Sequence, residues 1–208
     1  MGREDWYRNT EWNSKIEQDF HSRLKRSRSQ RDQHLVIQAL TLAKHHPKKA
    51  LELVEFFFET RTNDFEDMRA YLAGADAYIE LNDLDNTLIW YKKVLKREKE
   101  FPNHLSQTYL NFPYLVAKEK VEAEYKFALK VLSENADRAT FPLDHYQWNA
   151  AVALISYEQG DNEKSTEHAT LALEAAQIKK SGFRYHPNMG LAGKEYKNEI
   201  KRLQEIGT

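Results

Sequence analysis

No cysteine occurs among the 208 residues, which excludes a disulfide framework, a thiolate metal site and a cysteine nucleophile. Glycine and proline are sparse, at seven and five residues, and period-two alternation of Val, Ile or Thr is scarce. A strand-rich fold would lack both its punctuation and its pattern. No apolar run approaches bilayer-spanning length, and the opening M-G-R-E-D-W-Y-R-N-T lacks the apolar stretch of a secretory signal. Neither sign of charge dominates. Against 31 Lys and Arg stand 32 Asp and Glu, so any attraction to nucleic acid or to an anionic membrane has to be local. A soluble, cytoplasmic, all-helical protein is the expectation.

The motifs of common enzymes are missing as well. The chain has no G-x-x-x-x-G-K-[ST], no G-x-G-x-x-G, no H-E-x-x-H and no G-x-S-x-G. His45 and His46 are adjacent on a helical stretch, where consecutive side chains diverge by about 100° and do not share a tetrahedral metal. Asp and Glu are so frequent that chance carboxylate pairs carry no acid–base assignment. No metal, no cofactor and no catalytic residue is expected.

What is present is helix, in roughly ten segments. The first is expected from about Glu11 to Arg26, capped by Thr10 or Asn9, and the second after Ser29 toward Lys44. Pro47 suits the first position of a third, reaching about Glu59. Asn63 with Glu66 makes a capping-box signature for a fourth ending at Leu81, and Asp83 caps a fifth running to Glu100. Leu105 to Lys118 and Val121 to Glu134 follow, with Pro113 expected to kink or divide the former. Leu143 to Gln159 and Asp161 to Lys179 are joined by a tight Gly160-Asp161 turn. A last amphipathic stretch through Leu191, Tyr196, Ile200, Leu203 and Ile206 is expected to cover the carboxyl-terminal end of the stack.

Within this series Tyr71 to Leu95, Y-L-A-G-A-D-A-Y-I-E-L-N-D-L-D-N-T-L-I-W-Y-K-K-V-L, resembles a tetratricopeptide helix-turn-helix. Ala75 and Tyr78 stand at its small and aromatic positions in the first helix, and Thr87, Tyr91 and Val94 at the corresponding positions of the second. A second copy spans Asn149 to Leu173, with Ala153, Ser165, Ala169 and Ala172 at small positions. Weaker copies place Ala50, Val54 and Phe57 in one hairpin and Val121, Tyr125 and Ala128 in another. Phe57, Val94, Ala128 and Ala172 are then spaced by 37, 34 and 44 residues, against about 34 for this repeat. The resemblance implies one domain over 1–208: a right-handed superhelical stack of antiparallel helix hairpins, capped by 1–28 and by 181–208, with about four hairpins in 29–180.

It also implies function through a concave groove lined by the first helix of each pair. Groove-facing positions are Arg69, Leu72, Asp76, Ile79 and Glu80, and farther along Gln147, Ala150, Leu154, Tyr157 and Glu158. The carboxylates of Asp76, Glu80 and Glu158 would suit a basic segment of a protein or peptide partner. The expectation is a protein-binding adaptor or regulator that is not an enzyme. A protein that neutralises a bacterial toxin is one version of it.

Two other features compete. Arg23, Lys25, Arg26, Arg28 and Arg31, bordered by Trp12 and Phe20, could meet phosphates of a nucleic acid, although a solvated helix end accounts for them too. The segment S-G-F-R-Y-H-P-N-M-G-L, Ser181 to Leu191, gathers Arg184, Tyr185 and His186 into a secondary candidate site. An enzyme with a nonstandard site would show a closed polar pocket there. The structural reading, in which Phe183 and Tyr185 pin the connection and Pro187 ends it, is preferred.

Overall fold

Ala70, Ala73 and Ala77 fall on one side of a helical stretch and let another helix backbone approach it, as small residues at helical spacing do. That approach recurs through the computed structural model, which describes residues 5–207. Among these residues every regular element is helical. The α-helices are α1 (Ser14–Leu24), α2 (Arg31–Ala43), α3 (Pro47–Thr60), α4 (Asp67–Glu80), α5 (Leu84–Glu100), α6 (Thr108–Lys118), α7 (Tyr125–Glu134), α8 (Pro142–Glu158), α9 (Asn162–Gln177) and α10 (Lys197–Ile206), with four short 3-10 turns between or before them. None is long and apolar enough to cross a membrane.

The chain divides into two compact units, Met1–Ser106 and Gln107–Thr208. In the first, α2 pairs with α3 and α4 with α5, and α4 also lies against both α2 and α3. Its core is built from Phe20, Leu35, Leu42, Val54 and Phe57, with Ala39, Ala50 and the alanines of α4 where helices touch. The Thr87, Tyr91 and Val94 stripe of α5 is buried, as its spacing predicts. Gly74 shows how close the approach is. A Cβ there would sit 2.3 Å from the Trp90 ring, so a residue that weakens a helix interior is kept where no side chain fits.

In the second unit α6 pairs with α7 and α8 with α9, α6 also packs on α8, and α10 lies against α8 and α9. Asp144 opens α8 by accepting from the backbone N–H groups of Thr140 and Phe141, both at 3.0 Å. From Asn149 to Ser156 every residue of α8 is buried. A helix apolar all round belongs inside, between neighbours on several sides.

One turn is used three times. Asn82, Lys120 and Gly160 each adopt positive φ, at 56°, 56° and 78°. The next N–H in each case donates five residues back, Asp83 to Tyr78, Val121 to Val116 and Asp161 to Ser156, all at 3.0 Å. This closes a helix on a left-handed residue. Asp83 and Asp161 then cap the following helix through the backbone N–H groups of Asn86 and Lys164. The α2–α3 turn differs, closing at His45 and His46 onto Leu42 before Pro47.

Several expected helix ends move. α1 begins at Ser14 because Asn13, not Thr10 or Asn9, accepts from the amides of Lys15 and Ile16. Ser29 does not cap α2, and Asn63 turns back to the Phe65 amide at 3.0 Å instead of forming a capping box. Pro113 sits buried inside an undivided α6, and the seventh segment starts as a 3-10 turn at Glu122–Glu124 before α7.

Candidate functional site

With about 100° per residue, Arg69, Leu72, Asp76, Ile79 and Glu80 share an arc of about 100° on α4. Leu72 is half-buried and the other four are exposed. Ile79 is 40% exposed, a large apolar side chain at the edge of the arc beside Asp76. Arg69 turns toward Glu66, at 3.4 Å. Asp76 and Glu80, one turn apart, have no hydrogen bond or ion pair among the described residues. Although Asp76 is exposed, the protein atoms packed around its carboxyl, and then the like charge of Glu80, push it up to about 6. The buried phenol of Tyr91 is raised too, by burial and then by Asp76.

The matching positions on α8 are Gln147, Ala150, Leu154, Tyr157 and Glu158, counted back from the turn residue Gly160 as the α4 set is from Asn82. Here the expectation of an open face fails. Ala150 and Leu154 are fully buried, and Gln147 is buried with its amide donating to the Tyr196 hydroxyl at 3.3 Å. Glu158 pairs with Lys120 at 2.9 Å and with Arg202 at 2.5 Å. Its carboxyl is held below the usual carboxylate range, chiefly by the hydrogen bond from Lys120. Tyr196 and Arg202 thus tie the α10 segment across this face at two points, and Leu203 is buried with it. Tyr157 alone of the five remains open, at 50%. The all-apolar run A-A-V-A-L-I, Ala150 to Ile155, was the available sign that α8 is enclosed.

The Ser181–Leu191 loop is pinned differently from the expected pattern. Phe183 stacks on Phe141 with ring centroids 5.2 Å apart, and the Ser181 hydroxyl donates to the His186 carbonyl at 2.7 Å. The Gly190 carbonyl accepts from the Leu143 amide at 2.8 Å. Tyr185 does not anchor; it is 80% exposed, and Arg184 lies over its ring at 5.5 Å. Arg184 and His186 are exposed on the loop.

In the basic run, Arg23 pairs with Asp19 at 2.9 Å. Arg31 is half-buried, bound to Asp32 and to the Thr60 hydroxyl and set over Phe56. Lys25, Arg26 and Arg28 are exposed. The five therefore divide between internal ties and solvent. Among the described residues no three His, Asp or Glu side chains come together as a metal site.

Sequence reasoning also missed a cleft on the other side of α4, between α3 and α5. Its volume is about 610 Å³, and Phe58, Tyr71, Tyr78 and Trp90 form the aromatic part of its walls. Aromatic residues at three- to four-residue spacing read as core from sequence alone. Comparison of the chain with protein-family models, with curated proteins and with solved structures gives no match in any of the three.

Proposed function

We propose that the chain is a protein-binding adaptor or regulator of tetratricopeptide-like design, and that the exposed face of α4 is where its partner binds. The pairing of α2 with α3 and α4 with α5, the contact of α4 with both helices of the preceding hairpin, and the turn shared by Asn82, Lys120 and Gly160 support a repeat architecture of right-handed superhelical type. The observation that carries the functional reading is the pair Asp76 and Glu80. Two exposed carboxylates one turn apart stand beside exposed Ile79, and neither makes an ion pair among the described residues. A basic, partly apolar segment of a partner protein supplies what the face lacks. Ile79 and Leu72 give apolar contact, and the carboxylates orient the cation.

A displayed library of random peptides, panned on the folded protein, tests this. Lys- or Arg-containing peptides should be enriched, their binding lost in the Asp76→Lys, Glu80→Lys double variant and retained in Glu158→Gln. Capture of partners from native extract should follow the same order. Enrichment without a basic residue, or binding indifferent to the double variant, would refute the assignment.

A further inference from the structure

Tyr71 and Tyr78, seven residues apart on α4, lie within about 20° of each other and roughly 140° to 160° from Asp76. They belong to a different surface from the acidic face and line the cleft of about 610 Å³ with Phe58 of α3 and Trp90 of α5. The rings brace one another. Phe58 stacks on Tyr71 at 5.1 Å, and Trp90 stands edge-on to Tyr71 at 5.8 Å and tilted to Tyr78 at 5.9 Å. Gly74 lets the Trp90 ring lie directly on the α4 backbone. The walls are therefore preset by packing rather than assembled by a ligand.

The cleft already attracts a cation. The Lys93 ammonium, from an exposed residue of α5, lies 4.2 Å from the Trp90 ring centroid and 5.7 Å from that of Tyr71. Both are within the reach at which an aromatic face attracts positive charge. Glu55 and Glu59 line the same cleft one turn apart on α3, exposed, and neither makes an ion pair or hydrogen bond among the described residues. Like charges at that spacing weaken a helix slightly. A cleft with aromatic faces, two carboxylates outside any ion pair among the described residues and space of small-molecule size suits a compact organic cation.

We propose that this cleft is a binding site for a small-molecule quaternary ammonium, held against Trp90 and Tyr71 and balanced by Glu55 and Glu59, with Lys93 as the resident cation that the ligand displaces. Primary ammonium groups stay strongly hydrated, whereas a methylated nitrogen spreads its charge over an apolar surface that matches the rings. Lys93 thereby sets the affinity as a competitor. Its removal favours the ligand.

The probe is tetramethylammonium chloride, with neopentyl alcohol as its neutral counterpart of similar shape. The readout is the indole N–H resonance of Trp90, assigned by its loss in Trp90→Phe. Tetramethylammonium should shift it saturably, with neopentyl alcohol far weaker. Lys93→Ala should tighten the ion about two- to five-fold, and Glu55→Gln with Glu59→Gln should weaken it by a similar factor. Circular dichroism checks that these surface variants remain folded. An equal response to the neutral alcohol, or no saturable shift in both the native protein and Lys93→Ala, would overturn the proposal. So would a response confined to peptides carrying trimethyllysine. None of these results touches the α4 acidic face, so the two assignments fail separately.

Discussion

The α4 and α8 helices stand at the same place in two hairpins, with the same turn behind them, yet their outward faces have opposite fates. On α4 the five positions read Arg69, Leu72, Asp76, Ile79 and Glu80, and four of them meet solvent. On α8 they read Gln147, Ala150, Leu154, Tyr157 and Glu158, and the α10 segment is fastened across them. The two glutamates make the contrast sharp. Glu158 has two cations from its own chain, whereas Glu80 has none among the described residues and shares its face with the exposed Asp76. A face that the chain satisfies internally is structural. In the proposed function, a face left with unpaired charge beside an apolar side chain is the one that a partner completes.

The largest expected effect comes from exchanging character between the helices. Leu154→Asp places an unpaired charge in a fully buried position and should cost about 3–5 kcal/mol or prevent folding of the second unit. Changes at Asp76 should leave folding intact. Denaturant melts of the two variants side by side make the comparison, and a mild Leu154→Asp would mean that α8 is not enclosed.

A smaller loss should follow from Leu203→Ala, about 2–3 kcal/mol for a buried leucine whose removal leaves a cavity. Hydrogen exchange should quicken along α10 and leave α4 unchanged. Gly74→Ala should cost about 1–2 kcal/mol, because overpacking against Trp90 exceeds the gain in helix propensity. Near-ultraviolet circular dichroism should report the displaced indole.

The smallest effects are those of pH, and they have opposite signs in the two units. The Glu158 carboxyl is lowered on folding, so its contribution to stability is present above the ordinary glutamate range and is lost as pH falls through the folded value. Asp76 is raised to about 6 from 3.8. Its protonated form is favoured by folding, so stability linked to it is full below about 4 and is lost as pH rises through about 6. Asp76→Asn should therefore melt higher than the native protein at pH 7 to 8 and match it near pH 4. Glu158→Gln should melt lower at neutral pH, and the gap should close in acid.

How much of this was legible can be seen residue by residue. The all-helical class followed from scarce glycine and periodic apolar spacing, and the Thr87, Tyr91 and Val94 stripe was placed correctly because its neighbours lie in the same hairpin. The turns at Asn82-Asp83 and Gly160-Asp161 were readable from residues that tolerate positive φ. Lys120 was not, since lysine carries no such preference. The acidic arc of α4 was legible as a face. The amphipathic stretch ending at Ile206 was legible as a cover for the end of the stack, and α10 does lie on α8 and α9. That Tyr196 and Arg202 would fasten it across the face of Gln147 and Glu158, 49 and 44 residues away, was not, because no local periodicity specifies so distant a pairing. The aromatic cleft was hidden for the same reason, as its rings come from three helices.

The most direct test is methyl resonance mapping with a basic peptide selected by display. As the peptide is added, the methyl signals of Leu72 and Ile79 should shift together, while those of Leu154 and Leu203 stay in place. Shifts at Leu154 and Leu203 with Leu72 and Ile79 unmoved would contradict the central claim, placing the partner on α8 and making the α10 segment a removable cover.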